Sequence, residues 1–151
     1  MKKIYIAILL TFPLLFTSCL KSNLDDIDVY TGKDITSVRG LYYYYSESTS
    51  ANGDDIFNWG NISRANVVID ADAGTVVIGT ATPATEHISE FNPQKVVIYL
   101  NLSTAATIRP IDGSATPGIE ADWTAGKVNR YIVTAADGST KEWSIVVNQY
   151  I

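Results

Sequence analysis

The stretch YIVTAADGSTKEWSIVV, residues 131–147, decides the fold. Two runs rich in β-branched and aromatic residues flank a turn at residues 136–139. The Asp-Gly pair of that turn suits a tight reversal, because glycine tolerates positive φ and aspartate can bond neighbouring backbone. Trp143, Ile145 and Val147 lie on one face of the second run, since successive side chains of a strand point to opposite sides. The stretch predicts a β-hairpin with Trp143 packed in the core or against a neighbouring strand.

The same signals recur towards the N-terminus. No apolar stripe with the 3.6-residue period of a helix is found outside the first residues. β-branched and aromatic runs predict strands at residues 36–45, 65–70, 75–78, 95–100 and 106–111. The second and third of these runs flank a turn that contains Asp72 and Gly74, which predicts another hairpin. With the final hairpin this makes about seven short strands, typical of a single all-β sandwich domain.

The first residues have the pattern of a lipoprotein signal. Two lysines precede about fifteen mostly apolar residues, as in secretory signals, and the run is too short for a transmembrane helix. It ends Phe16-Thr17-Ser18-Cys19, which is similar to a lipobox, where the cysteine is lipidated and becomes the mature N-terminus. Cys19 is the only cysteine, so it has no disulfide partner in the chain. We therefore expect a signal peptide at residues 1–18 and lipid attachment, with its acyl chains such as palmitate, at Cys19.

Cleavage before Cys19 would leave 151 − 18 = 133 residues, which is enough for one domain with a sizeable core. The sequence predicts an acidic tether at residues 19–34 and the sandwich domain at residues 35–151. Of the 11 Lys and Arg residues 9 would remain, against 16 Asp and Glu, which is a net charge of −7. Nucleic acids attract clustered basic residues. We therefore expect no nucleic-acid partner.

Four stretches of the chain resemble one protein family. They are ITSVR at 35–39, TIRPIDG at 107–113, ADWT at 121–124 and the hairpin at 131–147. Together they are similar to the immunoglobulin-like domains of uncharacterised Bacteroidota lipoproteins, often encoded near polysaccharide-utilisation systems. The resemblance implies an immunoglobulin-like antiparallel sandwich and a place at the cell surface, but no activity. It also implies that Trp123 plugs one end of the sandwich.

Residues after Cys19 bear on the location of the anchor. Leu20 stands where many lipoproteins kept in the inner membrane have aspartate, so the outer membrane is expected. Lys21 followed by Asp25 and Asp26 resembles the basic-then-acidic export tag of Bacteroidota lipoproteins. This favours the cell surface over the periplasmic side.

The sequence contains few candidates for catalytic or metal-binding residues. His87 is the only histidine and lies in a polar loop near Glu86 and Glu90. A metal site needs at least three converging ligands, usually with a second histidine or a thiolate. We therefore interpret His87 as a solvated loop residue, and Asp54-Asp55, like Asp70 and Asp72, as acidic turns. The sequence predicts no enzyme, no catalytic residue, no metal site and no cofactor.

Aromatic residues are the feature that stands out. Residues 42–45 are four consecutive tyrosines, of which at most two can point inward. The segment that follows, residues 46–61, is predicted to be a loop rich in Asn, Asp, Gly and Ser around Phe57 and Trp59. Flat rings beside amides and carboxylates are typical of sugar-binding surfaces. The candidate ligand-binding residues are Tyr43, Tyr45, Asp55, Asn58 and Trp59.

Other interpretations of the tyrosines stay open. Tyrosine is common in strands, and Trp59 could simply fold back on the sheet. Both residue types are also frequent at protein interfaces. The sequence thus favours a non-catalytic surface lipoprotein that binds glycans or assists outer-membrane proteins of polysaccharide uptake. The alternative is a structural or adhesion lipoprotein whose sandwich is a spacer or docks another protein.

Overall fold

The computed structural model describes residues 29–151, which form seven strands. They are β1 (Ile35–Thr49), β2 (Asp55–Asp70), β3 (Thr75–Pro83), β4 (Val96–Leu102), β5 (Thr107–Ile111), β6 (Val128–Thr134) and β7 (Thr140–Val147). Two single-turn 3-10 helices, Ile88–Glu90 and Pro93–Lys95, lie between β3 and β4. The predicted all-β class is confirmed. The predicted signal peptide, Cys19 and the first part of the predicted tether lie outside the described residues.

All seven strands belong to one sheet with the order β4-β1-β2-β3-β7-β6-β5. Neighbouring strands are antiparallel except β3 and β7, which run parallel from the Thr75–Ser144 pair to the Ile78–Val147 pair. The prediction of a wholly antiparallel sandwich is therefore wrong for one pair. The reason is topological: β4, β5 and β6 separate β3 from β7 along the chain, so no tight hairpin imposes an antiparallel pairing.

The long strand β2 changes partner along its length and lets the sheet wrap around the core. It pairs with β1 from Asp55 to Ile62 and with β3 from Ile62 to Asp70. Where β1 and β2 part, the Arg64 guanidinium donates a hydrogen bond of 2.8 Å to the backbone carbonyl of Arg39. The two outermost strands, β4 and β5, also approach each other, because Leu100 and Ile108 line one small cavity. The result is a sandwich-like domain made from a single curved sheet.

The core fills the space inside this curve. Its largest fully buried side chains are Trp123, Trp143, Tyr43, Tyr131, Ile35, Leu41, Ile62, Ile78, Ile98 and Ile145. Trp143 is 1% exposed, which confirms its predicted packing in the core. The ring of Trp123 stacks on Tyr131 with centroids 6.4 Å apart and an interplanar angle of 16°. Both tryptophans therefore contribute a large apolar area to one cluster.

The hairpin of β6 and β7 is confirmed and also holds the segment before β1. In its turn the hydroxyl and the backbone N–H of Ser139 both hydrogen-bond to Asp137, which lowers the pKa of the Asp137 carboxyl. The indole N–H of Trp143 donates to the backbone carbonyl of Lys33 at 3.0 Å. Lys141 forms an ion pair of 2.8 Å with Asp34. The last two residues of the predicted tether are thus attached to the domain.

The strand ends differ most from prediction around residues 46–61, which were expected to form a loop. β1 and β2 instead continue to pair from Tyr45–Asn58 to Thr49–Asp55, with one register shift between Ser46 and Ser48, so the turn is only residues 50–54. Polar composition predicted a loop there, but pairing with a long neighbouring strand satisfies the backbone and overrides local preference. The consequence is that Trp59 lies on a strand.

Candidate aromatic binding site

The four tyrosines of β1 alternate between the two faces of the sheet. Tyr43 and Tyr45 lie on the core face with Leu41, and both pack with the core cluster. Tyr42 and Tyr44 lie on the opposite face, called the outer face below. The prediction that no more than two tyrosines point inward is confirmed.

Tyr43 is a structural residue of the core. It is 1% exposed, and its hydroxyl is placed to donate to the backbone carbonyls of Ala84 and Glu86, at 3.2 and 3.0 Å. Its ring lies over Gly60, where an added Cβ would come within 2.2 Å of ring atoms. Burial raises the pKa of the Tyr43 hydroxyl, with the charges of Tyr45, Glu90 and Glu86 adding to it. With both faces of its ring and its hydroxyl in use, Tyr43 is not open to a ligand.

Tyr45 contacts the loop that carries the histidine. The rings of Tyr45 and His87 stack with centroids 4.0 Å apart and an angle of 11°. The Nδ1 atom of His87 lies 3.6 Å from a carboxylate oxygen of Glu90, whose other oxygen accepts the backbone N–H of Ser46. His87 lies in the loop between β3 and β4 and keeps a side-chain exposure of 31%, while its ring stacks on Tyr45.

The outer face holds a second group of rings, the outer aromatic cluster: Tyr42, Tyr44, Trp59 and Tyr99. Trp59 is central. Its ring lies 4.3 Å from that of Tyr44, 5.7 Å from Tyr42 and 6.5 Å from Tyr99, measured between centroids. Tyr42 and Tyr99 also meet edge to face at 5.8 Å. Tilted and edge-to-face contacts of this kind are the favoured geometries of aromatic pairs.

Two residues of the sheet, Val97 and Gly40, lie beneath the rings of the outer aromatic cluster. Val97 on β4, in register with Tyr42, is fully buried although it lies outside the main core cluster. Gly40 makes room for the Tyr42 ring, since an added Cβ would come within 2.4 Å of it. The rings are therefore held in place without being buried, and Trp59 remains 47% exposed.

Two cavities flank the Tyr44–Trp59 pair. The first, called the cleft below, has a volume of about 320 Å³ and is lined by Arg39, Tyr42, Trp59 and Tyr99. The second is larger, about 560 Å³, and opens where β1 extends past the start of β4. Its lining consists of Tyr44, Tyr45, Ser46, Phe57, Glu90, Lys95 and Glu120. The cleft is mainly aromatic, whereas the second cavity carries two carboxylates and one ammonium group.

The sequence-predicted ligand residues are not brought together in one place. Trp59 is on the outer face, while Tyr43 and Tyr45 are on the core face. The Asn58 amide bonds to the carboxylate of Glu47 across the β1–β2 hairpin. Asp55 is exposed at the first position of β2, paired with Thr49 at the far end of the hairpin. Of the five predicted residues, the structure places Trp59 in the lining of the cleft.

Three residues of the cleft escaped the sequence prediction: Arg39, Tyr42 and Tyr99. Strand alternation could have identified Tyr42, because it separates Tyr42 from the inward Tyr43. Tyr99 lies in an apolar run in which both faces look alike, so its side could not be assigned. Arg39 precedes Gly40 at a register shift between β1 and β4, which a simple alternation does not anticipate.

Comparison with known proteins places the domain in a family. The sequence model of the DUF5018-related family matches residues 35–146, which include the seven strands almost entirely. The chain belongs to this DUF5018-related family. No curated protein matches the sequence. A solved structure of a Bacteroidota protein also resembles the chain.

That structure is the crystal structure of a "putative secreted protein (BF4250)" from Bacteroides fragilis NCTC 9343. It is similar to this DUF5018-related chain with 31% sequence identity and a TM-score of 0.66, over 80% of this chain and 97% of BF4250. The predicted resemblance to Bacteroidota proteins is therefore confirmed. The lipid anchor and the immunoglobulin-like assignment remain predictions.

The described part of this DUF5018-related chain lacks two features that would point to a metal or a membrane. Within residues 29–151 no group of three or more His, Cys, Asp or Glu side chains could hold a metal ion. Over the same part of the chain no helix has the length and apolar character needed to cross a bilayer. The outer aromatic cluster and its cleft are therefore the features from which a function can be argued.

Proposed function

We propose that this protein is a non-catalytic lipoprotein of the outer membrane, displayed at the cell surface, that binds a glycan across the outer aromatic cluster. The observation that carries the proposal is the half-exposed ring of Trp59, held by three tyrosines at the mouth of a cleft of about 320 Å³. Ligand sites are typically concave, apolar and aromatic, with a few polar groups that fix orientation.

The cluster has the properties that stacking on a sugar requires. A pyranose presents a face of C–H groups with partial positive charge, which suits the negative face of an indole ring. A ring that must collapse onto the sheet in the free protein would lose this contact. Here Tyr42, Tyr44 and Tyr99 pack against Trp59 and leave nearly half of it accessible. Such preorganisation reduces the entropy lost on binding.

The location part of the proposal rests on two observations. The first is the N-terminal sequence, with its short apolar run ending at Cys19. The second is the likeness to the B. fragilis protein described as secreted. A lipid-held domain would be joined to its tether before Ile35, and the cleft residues Arg39 and Tyr42 lie four and seven residues farther along β1, about 13 and 23 Å away at ~3.3 Å per residue.

Affinity electrophoresis on a panel of polysaccharides tests the binding. We expect at least one polysaccharide to retard the wild-type protein, and Trp59→Ala to abolish most of that retardation, since it removes the ring on which the sugar stacks. Tyr30→Ala is the matched control, because Tyr30 is 58% exposed and does not line the cleft. Retardation that survives Trp59→Ala, or is lost equally in Tyr30→Ala, would refute the site.

The anchor has its own test. Cys19→Ala should move the protein from the membrane fraction to the soluble fraction, because the lipid chains supply the membrane affinity. Protease treatment of intact cells would then separate surface display from a periplasmic position. Wild-type fractionation of the Cys19→Ala variant would contradict lipid attachment.

A second function, docking of another protein, is favoured by exposed apolar side chains on β2. Ile56, Phe57 and Val68 are 46%, 59% and 58% exposed. Beyond Ile62 the backbone of β2 pairs with β3 and has left β1. Photo-crosslinkers placed at positions 68 and 59 on intact cells distinguish the two functions. Protein crosslinks confined to position 68 support docking, and glycan-protected labelling at position 59 supports the cleft.

A further inference from the structure

Arg39 is the charged member of the cleft lining, beside Tyr42, Trp59 and Tyr99. Within residues 29–151 its guanidinium forms no ion pair and lies over no aromatic ring at cation–π distance. Among the described residues Lys127, Arg130 and Lys141 each pair with a carboxylate, whereas no ion pair is formed by Arg39 or by Lys33, Arg64, Lys95 and Arg109. The five hydrogen-bond donors of Arg39 thus have no charged partner in the described part of the chain.

The cation of the cleft lies in a chain whose net charge is negative. The chain carries 11 basic against 16 acidic side chains, so a cation in the cleft is not part of a general basic surface. A second guanidinium is close by, because Arg64 donates to the backbone carbonyl of Arg39 at 2.8 Å. Arg64 likewise has no carboxylate partner among the described residues. The Arg64 guanidinium therefore adds a second positive charge beside the backbone of Arg39.

The other end of the outer aromatic cluster has an excess of negative charge. Beyond Tyr44, the second cavity is lined by Glu90 and Glu120, with Lys95 as the cation. The charge of Glu120 also contributes, after burial and Tyr99, to the raised pKa of the Tyr44 hydroxyl. An anionic ligand is therefore attracted to the Arg39 side of the Tyr44–Trp59 pair and repelled from the other side.

We propose that the cleft binds anionic saccharides, whose carboxylate or sulfate group pairs with Arg39 while the sugar ring stacks on Trp59. The inference rests on the proposed glycan-binding function and adds the chemical class of the glycan. Carboxylates and sulfates both offer paired oxygens that match the planar fork of a guanidinium, and such charge-assisted bonds are stronger than bonds between neutral groups.

Matched pairs of polymers test this inference directly. The mature protein, extracted from membranes in detergent, is titrated with polygalacturonate and with the same polymer after full methyl esterification. Chondroitin sulfate and desulfated chondroitin form the second pair. We expect at least one anionic polymer to bind about tenfold or more tightly than its partner, because the partner lacks the group that Arg39 bonds. The first pair reports a carboxylate ligand and the second a sulfate ligand.

Two variants locate the effect. Arg39→Met should remove the preference for the anionic polymer, so that each anionic polymer and its uncharged partner bind with about equal affinity. Arg109→Met is the control, because it changes the net charge equally, is exposed on β5 and does not line the cleft. The preference should also decline as NaCl is raised from 0.05 to 0.5 M, since salt screens exposed charges.

The outcomes separate the two proposals. Trp59-dependent binding to neutral polymers without any preference for anionic ones would overturn the anionic class and leave glycan binding intact. An anionic preference that Arg39→Met and Arg109→Met reduce equally would overturn the role of Arg39. No binding of any polymer by the wild-type protein would overturn both.

Discussion

The two faces of β1 use the same residue type in opposite ways. On the core face Tyr43 is 1% exposed, lies over Gly60 and has its hydroxyl within hydrogen-bond distance of two backbone carbonyls. On the outer face Tyr42 and Tyr44 are half-buried and pack around Trp59, which is 47% exposed. The comparison separates rings that stabilise the fold from rings that are held ready at the surface.

The two faces should differ most in what a tryptophan contributes to stability. Trp143→Ala is expected to lower the free energy of unfolding by about 3–5 kcal/mol, because it leaves a large cavity in the core. Trp59→Ala should cost only about 1 kcal/mol, the value of an aromatic pair at a partly exposed site. Urea unfolding followed by circular dichroism measures both.

Trp143→Phe covers the case in which Trp143→Ala does not fold. It keeps an aromatic ring in the core but removes the hydrogen bond from the indole N–H to Lys33. Its loss should be intermediate between the other two. Equal losses for Trp143→Ala and Trp59→Ala would show that the outer aromatic cluster is a second core and not a binding surface.

A sharper comparison uses the two glycines under the tyrosine rings. Gly60→Ala places a methyl group against Tyr43, which is enclosed and cannot move, so the expected loss is about 1–3 kcal/mol. Gly40→Ala places one against Tyr42, whose half-exposed ring can swing outward, and should cost less than about 1 kcal/mol. Thermal and urea unfolding of both variants measure the difference.

The glycine pair also bears on function. Gly40→Ala displaces the Tyr42 ring that lines the cleft, so it should weaken glycan binding while the fold persists. Gly60→Ala should affect the fold without changing the affinity of the folded fraction. The reverse pattern would mean that the core face, and not the outer face, forms the binding site.

Much of the core face could be predicted from sequence. The alternation in residues 131–147 predicted the hairpin and the burial of Trp143, because a two-residue period and an Asp-Gly turn are local signals. The same period correctly separated the four tyrosines into two and two. Local patterns suffice where one face of a strand is buried and its neighbours follow directly in the chain.

The cleft could not be predicted in the same way. It combines Arg39 on β1, Trp59 on β2 and Tyr99 on β4, so it depends on the register of three strands and on a register shift beside Gly40. The parallel pairing of β3 and β7 likewise depends on a long crossover, which leaves no mark in either strand. Residues 46–61 were expected to be a loop because their composition was considered without the partner strand that orders them.

The smallest effect concerns the turn that inserts Trp123 into the core. Asp122 accepts hydrogen bonds from the hydroxyl and backbone N–H of Thr124 and pairs with Lys127 at 2.9 Å, which lowers the pKa of its carboxyl from 3.8 to about 2. Because the pKa is lower in the folded state, the stabilisation is fully present above the unfolded value of 3.8 and is lost as the pH falls through about 2. Asp122 and Lys127 are more than a third exposed, so we expect less than about 1 kcal/mol.

Asp122→Asn should therefore be slightly less stable than wild type at pH 6, and the difference should vanish as the pH falls from about 4 to about 2. Urea unfolding at these pH values measures the difference. Asp72→Asn, in the exposed turn between β2 and β3, is the control and should show no such trend, since the Asp72 carboxylate has no bonded partner among the described residues. A deficit of Asp122→Asn that persisted at pH 2 would mean that Asp122 acts through the shape of the turn and not through its charge.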